Sequence, residues 1–171
     1  MINYFAYGSN LHPVRLTERV ASASLVGRAQ VCGYQLKFHK LGQDDSGKCN
    51  LFYTGRTADV VFGAVYTLAA EHKSQLDTFE GKGMGYTDCQ IEVVHLEQSI
   101  QCFSYLAQQA YIVDSLKPYH WYKQLVKHGA SYLRFPDAYL SCIEAIESRE
   151  DPKKSRRKIH QDLLERIEKQ R

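Results

Sequence analysis

A change of periodicity near residue 110 limits what this chain can fold into. Up to residue 107 the apolar residues fall in short segments with β-like spacing, and from Pro118 onward they recur at helical spacing. The segment "VVFGAVYTL", Val60–Leu68, is continuous and largely apolar, which suits a strand buried on both faces. Ile2–Tyr7, Gln35–Leu41, Thr87–Leu96 and Ile100–Ala107 also read as strands. In Gln35–Leu41, alternation puts Leu36, Phe38 and the stem of Lys40 opposite Lys37 and His39. In Thr87–Leu96, Cys89, Ile91 and Val93 alternate with Gln90 and Glu92. Residues 41–50, "LGQDDSGKCN", read as a polar turn or loop between strands.

A short helix over Ala69–Phe79 interrupts the strands. Thr67 is placed to cap it and Gly81 to end it, with Leu68, Leu76 and Phe79 towards the core. Three helices follow. "PYHWYKQLVKHG" starts near Pro118 and should stop at Gly129. The second begins near Pro136, with Leu140, Ile143 and Ile146 on one stripe. The last, Ser155–Lys169, has a thin stripe of Ile159, Leu163 and Ile167, so it docks on the body, docks on a partner chain, or frays. Strands first and helices later predict an α+β fold: a small mixed β-barrel or curled sheet flanked by helices.

With 171 residues the chain suits one domain with a sizeable core. No run approaches the roughly 20 apolar residues of a membrane helix, and no secretory signal pattern opens the chain. A cytoplasmic protein with no membrane contact is expected. The five cysteines form no C-x-x-C pair and read as buried reduced thiols. The net charge of +3 is uneven: residues 148–171 hold nine Lys/Arg and five Asp/Glu, so the other 147 residues are slightly acidic. The chain therefore divides into a main domain, 1–147, and a basic helical tail, 148–171, with "REDPKK" at 149–154 as the linker. No nucleic-acid partner is expected of the body. "KKSRRK" in the tail, 153–158, reads as a solvated face, with a nucleic-acid or anionic-surface contact as the alternative.

Two stretches could carry chemistry. "MINYFAYGSNL" ends a strand in Gly8-Ser9-Asn10, a turn that either reverses the chain or aims N–H groups at an anion. "LDTFEGKGMGY", 76–86, places Glu80 where the short helix should end. A carboxylate there faces the negative end of the helix dipole. Enclosed by Phe79, Met84 and Tyr86, it would suit a general base; left open, it is a solvated side chain. The glycines after it do not make a dinucleotide fingerprint, because the helix precedes them, and no Gly-Lys-Ser/Thr marks a P-loop. Ser9 lies outside any G-x-S-x-G. His120 and His128, eight apart, show no metal-ligand spacing, and no metal site is expected. The rings of "PYHWY", 118–122, suit either core packing or a pocket wall.

Taken in order, "YFAYGSNL", "LDTFEGKGMGY", "YLAQQAY", "PYHWYKQLVKHGA" and "FPDAYLSCIEAI" resemble the γ-glutamylcyclotransferase family, over about Tyr4 to Ile146. The resemblance implies a compact α+β fold, a small β-barrel with flanking helices. It implies cyclisation of a γ-glutamyl group onto its own α-amine, releasing 5-oxoproline and a free amino acid or amine, with no metal or organic cofactor. Tyr7-Gly8-Ser9-Asn10 matches the family's substrate loop, led into by Tyr4, Phe5 and Ala6. Glu80 matches its catalytic acid/base and Tyr122 a pocket tyrosine. Tyr86 falls close to another, across a glycine loop one residue shorter than in some relatives. The expected partner is a small-molecule γ-glutamyl substrate, and the chain a monomer or homodimer. The alternative is a non-catalytic ligand-binding or regulatory module on the same fold. Asn10 after Y-G-S counts against glutathione as substrate, since glutathione-specific relatives tend to differ there.

Overall fold

The computed structural model describes residues 1–170. In chain order the elements are β1 (Ile2–Ala6), α1 (Pro13–Arg19), β2 (Ser24–Cys32), β3 (Tyr34–Leu41), β4 (Gly47–Tyr53), β5 (Val60–Leu68), α2 (Lys73–Glu80), β6 (Tyr86–His95), β7 (Gln98–Ala107), α3 (His120–Tyr132), α4 (Asp137–Ala145) and α5 (Lys154–Glu168). Five strands close into a barrel in the order β1-β5-β2-β6-β7, and β3 and β4 form a separate hairpin. The continuous apolar character of β5 follows from its central place. It pairs antiparallel with β1, from Ile2↔Leu68 to Ala6↔Ala64, and on its other side with β2, and its side chains are buried almost throughout. β1 and β7 close the barrel in parallel at Tyr4↔Phe103. The result is the α+β barrel with flanking helices expected from the order of periodicities.

Three elements were not foreseen. β2 turns only Ala29 and Val31 into full burial, which leaves no continuous apolar face to read. α1 opens with Pro13 at its first turn, and His12 Nδ1 accepts from the Val14 N–H at 3.3 Å. β4 occupies residues assigned to a loop. The true turn is shorter, closed by Gly42 N–H to Ser46 O at 2.9 Å and braced by Asp44, whose Oδ1 accepts from both the N–H and Oγ of Ser46. A register shift between Lys37 and Lys40 breaks the expected alternation. His39 is turned inward, where its Nε2 meets Asn50 Nδ2 at 3.1 Å.

Other boundaries moved for tertiary reasons. Thr67 stays in β5 and caps nothing, and a 3₁₀ turn over residues 70–72 precedes α2. Gly81 does end α2. It adopts φ 67°, its N–H reaches Thr78 O, and Lys82 N–H reaches Asp77 O. Leu76 is buried, but Phe79 is 50% exposed with its ring under the Arg19 guanidinium at 5.3 Å. Gly129 does not stop α3, which runs on to Tyr132. Its role is clearance, since a Cβ there would stand 2.4 Å from Leu11 Cβ. The cysteines are all free, but only Cys49 and Cys102 are buried; Cys32 and Cys142 are exposed. Among the described residues, no helix is long and apolar enough to cross a membrane.

The tail helix docks on the body. The His160 ring stacks on Trp121 with centroids 3.6 Å apart and an interplanar angle of 12°. Leu163 and Ile167 are buried and Ile159 is exposed. Arg166 of α5 pairs with Glu18 of α1 at 2.9 Å. Asp151, just ahead of α5, accepts from Trp121 Nε1 at 2.9 Å and from Arg156 through both carboxylate oxygens.

Candidate active site

Where β1 leaves the barrel, Tyr7 hands over to the turn Gly8-Ser9-Asn10, closed by Leu11 N–H to Gly8 O at 3.1 Å. The N–H groups of Gly8, Ser9 and Asn10 donate to no acceptor among the described residues. Gly8 is not in the left-handed region, so a sharp backbone turn is not why glycine stands there. Space is the reason: a Cβ would lie 3.0 Å from Cys49 Cβ and 3.4 Å from Tyr122 Oη.

Glu80 is the last residue of α2 and comes directly onto this turn. Asn10 Nδ2 donates to Glu80 Oε1 at 2.7 Å. Arg19 Nη1 bridges the pair, 3.0 Å from Asn10 Oδ1 and 3.3 Å from Glu80 Oε1. The Glu80 side chain is 18% exposed. Its Oε2 makes no hydrogen bond among the described residues. The enclosure differs from the apolar one expected: Phe79 and Met84 are 50% and 58% exposed, and an amide and a guanidinium hold the carboxylate instead. Of the three expected neighbours, only Tyr86 is buried beside the site.

Behind Glu80 lies a niche of about 20 Å³ walled by Tyr4, Tyr7, Tyr86, Tyr105 and Tyr122, with Cys49 at its back. That volume admits one water-sized group. Three of the hydroxyls are held by main-chain atoms and those of Tyr4 and Tyr105 by side chains. Tyr86 Oη donates to Cys49 O at 2.5 Å, Cys49 N–H donates to Tyr122 Oη at 3.1 Å, and Tyr7 Oη donates to Tyr105 O. Tyr105 Oη donates to Asp77 Oδ1 at 2.5 Å. Burial pushes the phenols of Tyr4, Tyr7, Tyr86 and Tyr122 well above their ordinary range, and the Cys49 thiol up to about 12. The niche is therefore lined by neutral polar groups with one carboxylate at its edge.

The niche opens into a larger cavity of about 440 Å³, sharing Ser9, Glu80, Tyr86 and Tyr122 with it. α5 contributes Arg156 and His160 to that outer wall. Burial first, then Arg15, Lys48 and Arg19, lowers the His160 imidazole to about 4, so it is neutral at pH 7.

The structure thus brings together Tyr4, Tyr7, Gly8, Ser9, Asn10, Glu80, Tyr86 and Tyr122. Phe5 and Ala6 do not line the niche. Both are fully buried in the barrel, with the Phe5 ring against Gly63. Sequence reasoning missed Arg19, Cys49 and Tyr105. The Pro13 start signal could have revealed α1, and with it Arg15 and Arg19 one turn apart on one face. Nothing local marks Cys49, whose role depends on where the β3–β4 hairpin packs.

Fold and site together define a class: a small closed β-barrel of α+β type, with an enclosed carboxylate set against a turn of free N–H groups. Comparison with known proteins agrees. Residues 60–143 match the AIG2-like family. The chain is 31% identical over 153 residues to the γ-glutamylcyclotransferase of Homo sapiens, covering 84% of this chain and 78% of that protein. It is 32% identical over 156 residues to that of Mus musculus, covering 86% and 79%. A solved structure named γ-glutamyl cyclotransferase superposes with a TM-score of 0.83 at 26% identity, covering 96% of this chain and 98% of the other. The chain belongs to the γ-glutamylcyclotransferase family.

Proposed function

We propose that this protein cyclises γ-glutamyl compounds, releasing 5-oxoproline and a free amino acid or amine, with Glu80 as the general acid/base. The observation that carries the reading is Glu80 itself: one carboxylate oxygen held by Asn10 and Arg19, the other free, beside a neutral tyrosine-walled niche. The substrate's α-ammonium gives a proton to Glu80, and the freed nitrogen attacks the γ-carbonyl carbon. A five-membered ring closes and the carbonyl oxygen becomes an oxyanion. Glu80 returns its proton to the nitrogen of the scissile amide, and the C–N bond breaks. The ring nitrogen's surplus proton ends on the freed amine.

Each part has a physical task. Ring closure is intramolecular, so holding the flexible glutamyl chain folded supplies much of the rate. The N–H groups of Gly8–Asn10 are available to a developing oxyanion or a carboxylate, and one such donor is worth about 3 kcal/mol in a transition state. Arg19 and Asn10 hold Glu80 in one orientation, so no side-chain reorganisation is needed at the moment of transfer.

The test is 5-oxoproline release from a panel of γ-glutamyl amino acids, γ-glutamyl amines and glutathione, with Glu80→Gln alongside. Release that disappears in the variant supports the reading. Wild-type activity in Glu80→Gln would remove Glu80 from the mechanism. A folded wild-type protein silent across the panel would favour a ligand-binding module.

A further inference from the structure

The outer cavity carries more positive charge than the proposed chemistry uses. Five cations line it, Arg15, Arg19, Lys40, Lys48 and Arg156, against two carboxylates, Asp44 and Glu80. Three of the cations are committed within the protein. Arg19 holds Glu80, Lys48 pairs with Asp44 at 2.7 Å, and Arg156 pairs with Asp151 at 2.5 Å. Arg15 and Lys40 are not so matched. Arg15 is 6% exposed, and its Nε is a buried donor with no hydrogen-bond partner among the described residues. Lys40 is 4% exposed and forms no ion pair among the described residues. Its Nζ stands over the Tyr86 ring at 4.4 Å and the Tyr111 ring at 5.9 Å.

Taking a cation out of water without a counter-charge is costly. Here two buried cations with no directly paired carboxylate among the described residues stand at the wall of a cavity large enough for a small ligand. A γ-glutamyl amino acid brings two carboxylates and one α-ammonium, a net charge of −1, which offsets only one of the two. A leaving group with a second carboxylate would also offset the wall's surplus positive charge. We propose that the preferred substrates are γ-glutamyl derivatives of acidic amino acids, with Arg15 and Lys40 as the specificity-determining residues. The inference rests on the cyclotransferase reading and adds the chemical class of its leaving group. A γ-glutamyl amine with no carboxylate on the departing side would leave the cationic wall least satisfied, and an acidic amino acid most satisfied.

The experiment compares initial rates of 5-oxoproline release by the full chain from γ-glutamyl-butylamine, γ-glutamyl-alanine and γ-glutamyl-glutamate. The expected kcat/KM rises in that order, by about tenfold or more from alanine to glutamate, because charge-assisted contacts are the strong ones. The advantage should shrink as salt is raised. Arg15→Gln and Lys40→Gln should each pull the glutamate-to-alanine ratio towards one. A general loosening of the fold would slow both substrates alike and leave the ratio intact. Should Arg15→Gln fail to fold, Lys40→Gln carries the test. Equal or reversed rates for alanine and glutamate in the wild type would overturn the inference while leaving the reaction standing, as would an unchanged ratio in a folded Lys40→Gln. Silence from all three substrates would overturn the cyclotransferase reading and this inference with it.

Discussion

The inner niche and the outer cavity share four residues yet are built from opposite materials. The niche is walled by tyrosines that burial keeps neutral, with the Tyr86 and Tyr122 hydroxyls fixed by main-chain atoms of Cys49. The cavity is walled by guanidinium and ammonium groups, several drawn from helices rather than strands. Under the proposed chemistry the neutral niche faces the reacting atoms, while the Arg19 guanidinium against Glu80 holds its carboxylate in place. A region that recognises an ion gains from fixed charge at a distance from the reacting atoms. Glu80 stands at the boundary, at the edge of the niche and in the wall of the cavity.

The comparison can be broken most directly at that boundary. Glu80→Gln keeps the shape and removes the proposed base, so kcat should fall by about 10³-fold while a non-reacting product such as 5-oxoproline still binds. Retained turnover, measured by product release, would mean that the tyrosine niche works without a base at its edge. Gly8→Ala attacks the niche alone. Its Cβ would crowd Cys49 and Tyr122, so kcat/KM should drop by about tenfold and the melting temperature should fall. Calorimetry beside kinetics separates the two effects, and a normal melting temperature with normal rates would show that the niche has slack.

Asp151→Asn attacks the outer side. Asp151 is buried, and the Arg156 guanidinium hydrogen-bonded to it holds its carboxyl well below the usual carboxylate range. The substitution frees Arg156 and loosens α5, costing about 2 kcal/mol because Arg156 is itself partly exposed. It should raise KM more than it lowers kcat. The opposite split would place α5 in the chemistry rather than the recognition.

The smallest effect concerns pH. Burial lowers His12 and His160 to about 4 from the ordinary 6.5. Between those values the unfolded chain binds protons that the folded one does not, so stability falls as the pH drops from about 6.5 towards 4. Denaturant melts at pH 7 and pH 5 measure this. His160→Gln should reduce the slope, and an unchanged slope would mean that His160 is not held neutral.

Much of this was legible in the sequence, for reasons that differ by element. β6 announced itself through short-range alternation, β1 and β7 as short strand-like runs, β5 through its apolar run, and α2 by the stop at Gly81. The order of quoted stretches led to the right family, and the Gly8 turn and Glu80 do meet. Phe5 and Ala6 came in with their neighbours, but Phe5 points to the opposite face of β1 from Tyr4 and Ala6 is fully buried in the barrel, so this contiguous motif is not a contiguous wall. His39 and Gly129 were misread because a bulge and the close approach of α3 to Leu11, neither visible locally, decide their surroundings.

What the sequence determined by itself were the backbone preferences: short strand-like segments before residue 107, helical spacing after 118, a stop signal at Gly81 and a start signal at Pro136. Those are encoded within a few residues, because steric and capping preferences act over one turn or one strand. Only the tertiary structure decided that Arg19 would reach Glu80 from 61 residues away, that Cys49 would tether Tyr86 and Tyr122, and that the basic tail would fold back to set His160 on Trp121. Such meetings follow from which apolar faces bury one another. That is a property of the whole packed chain, and no short segment carries it.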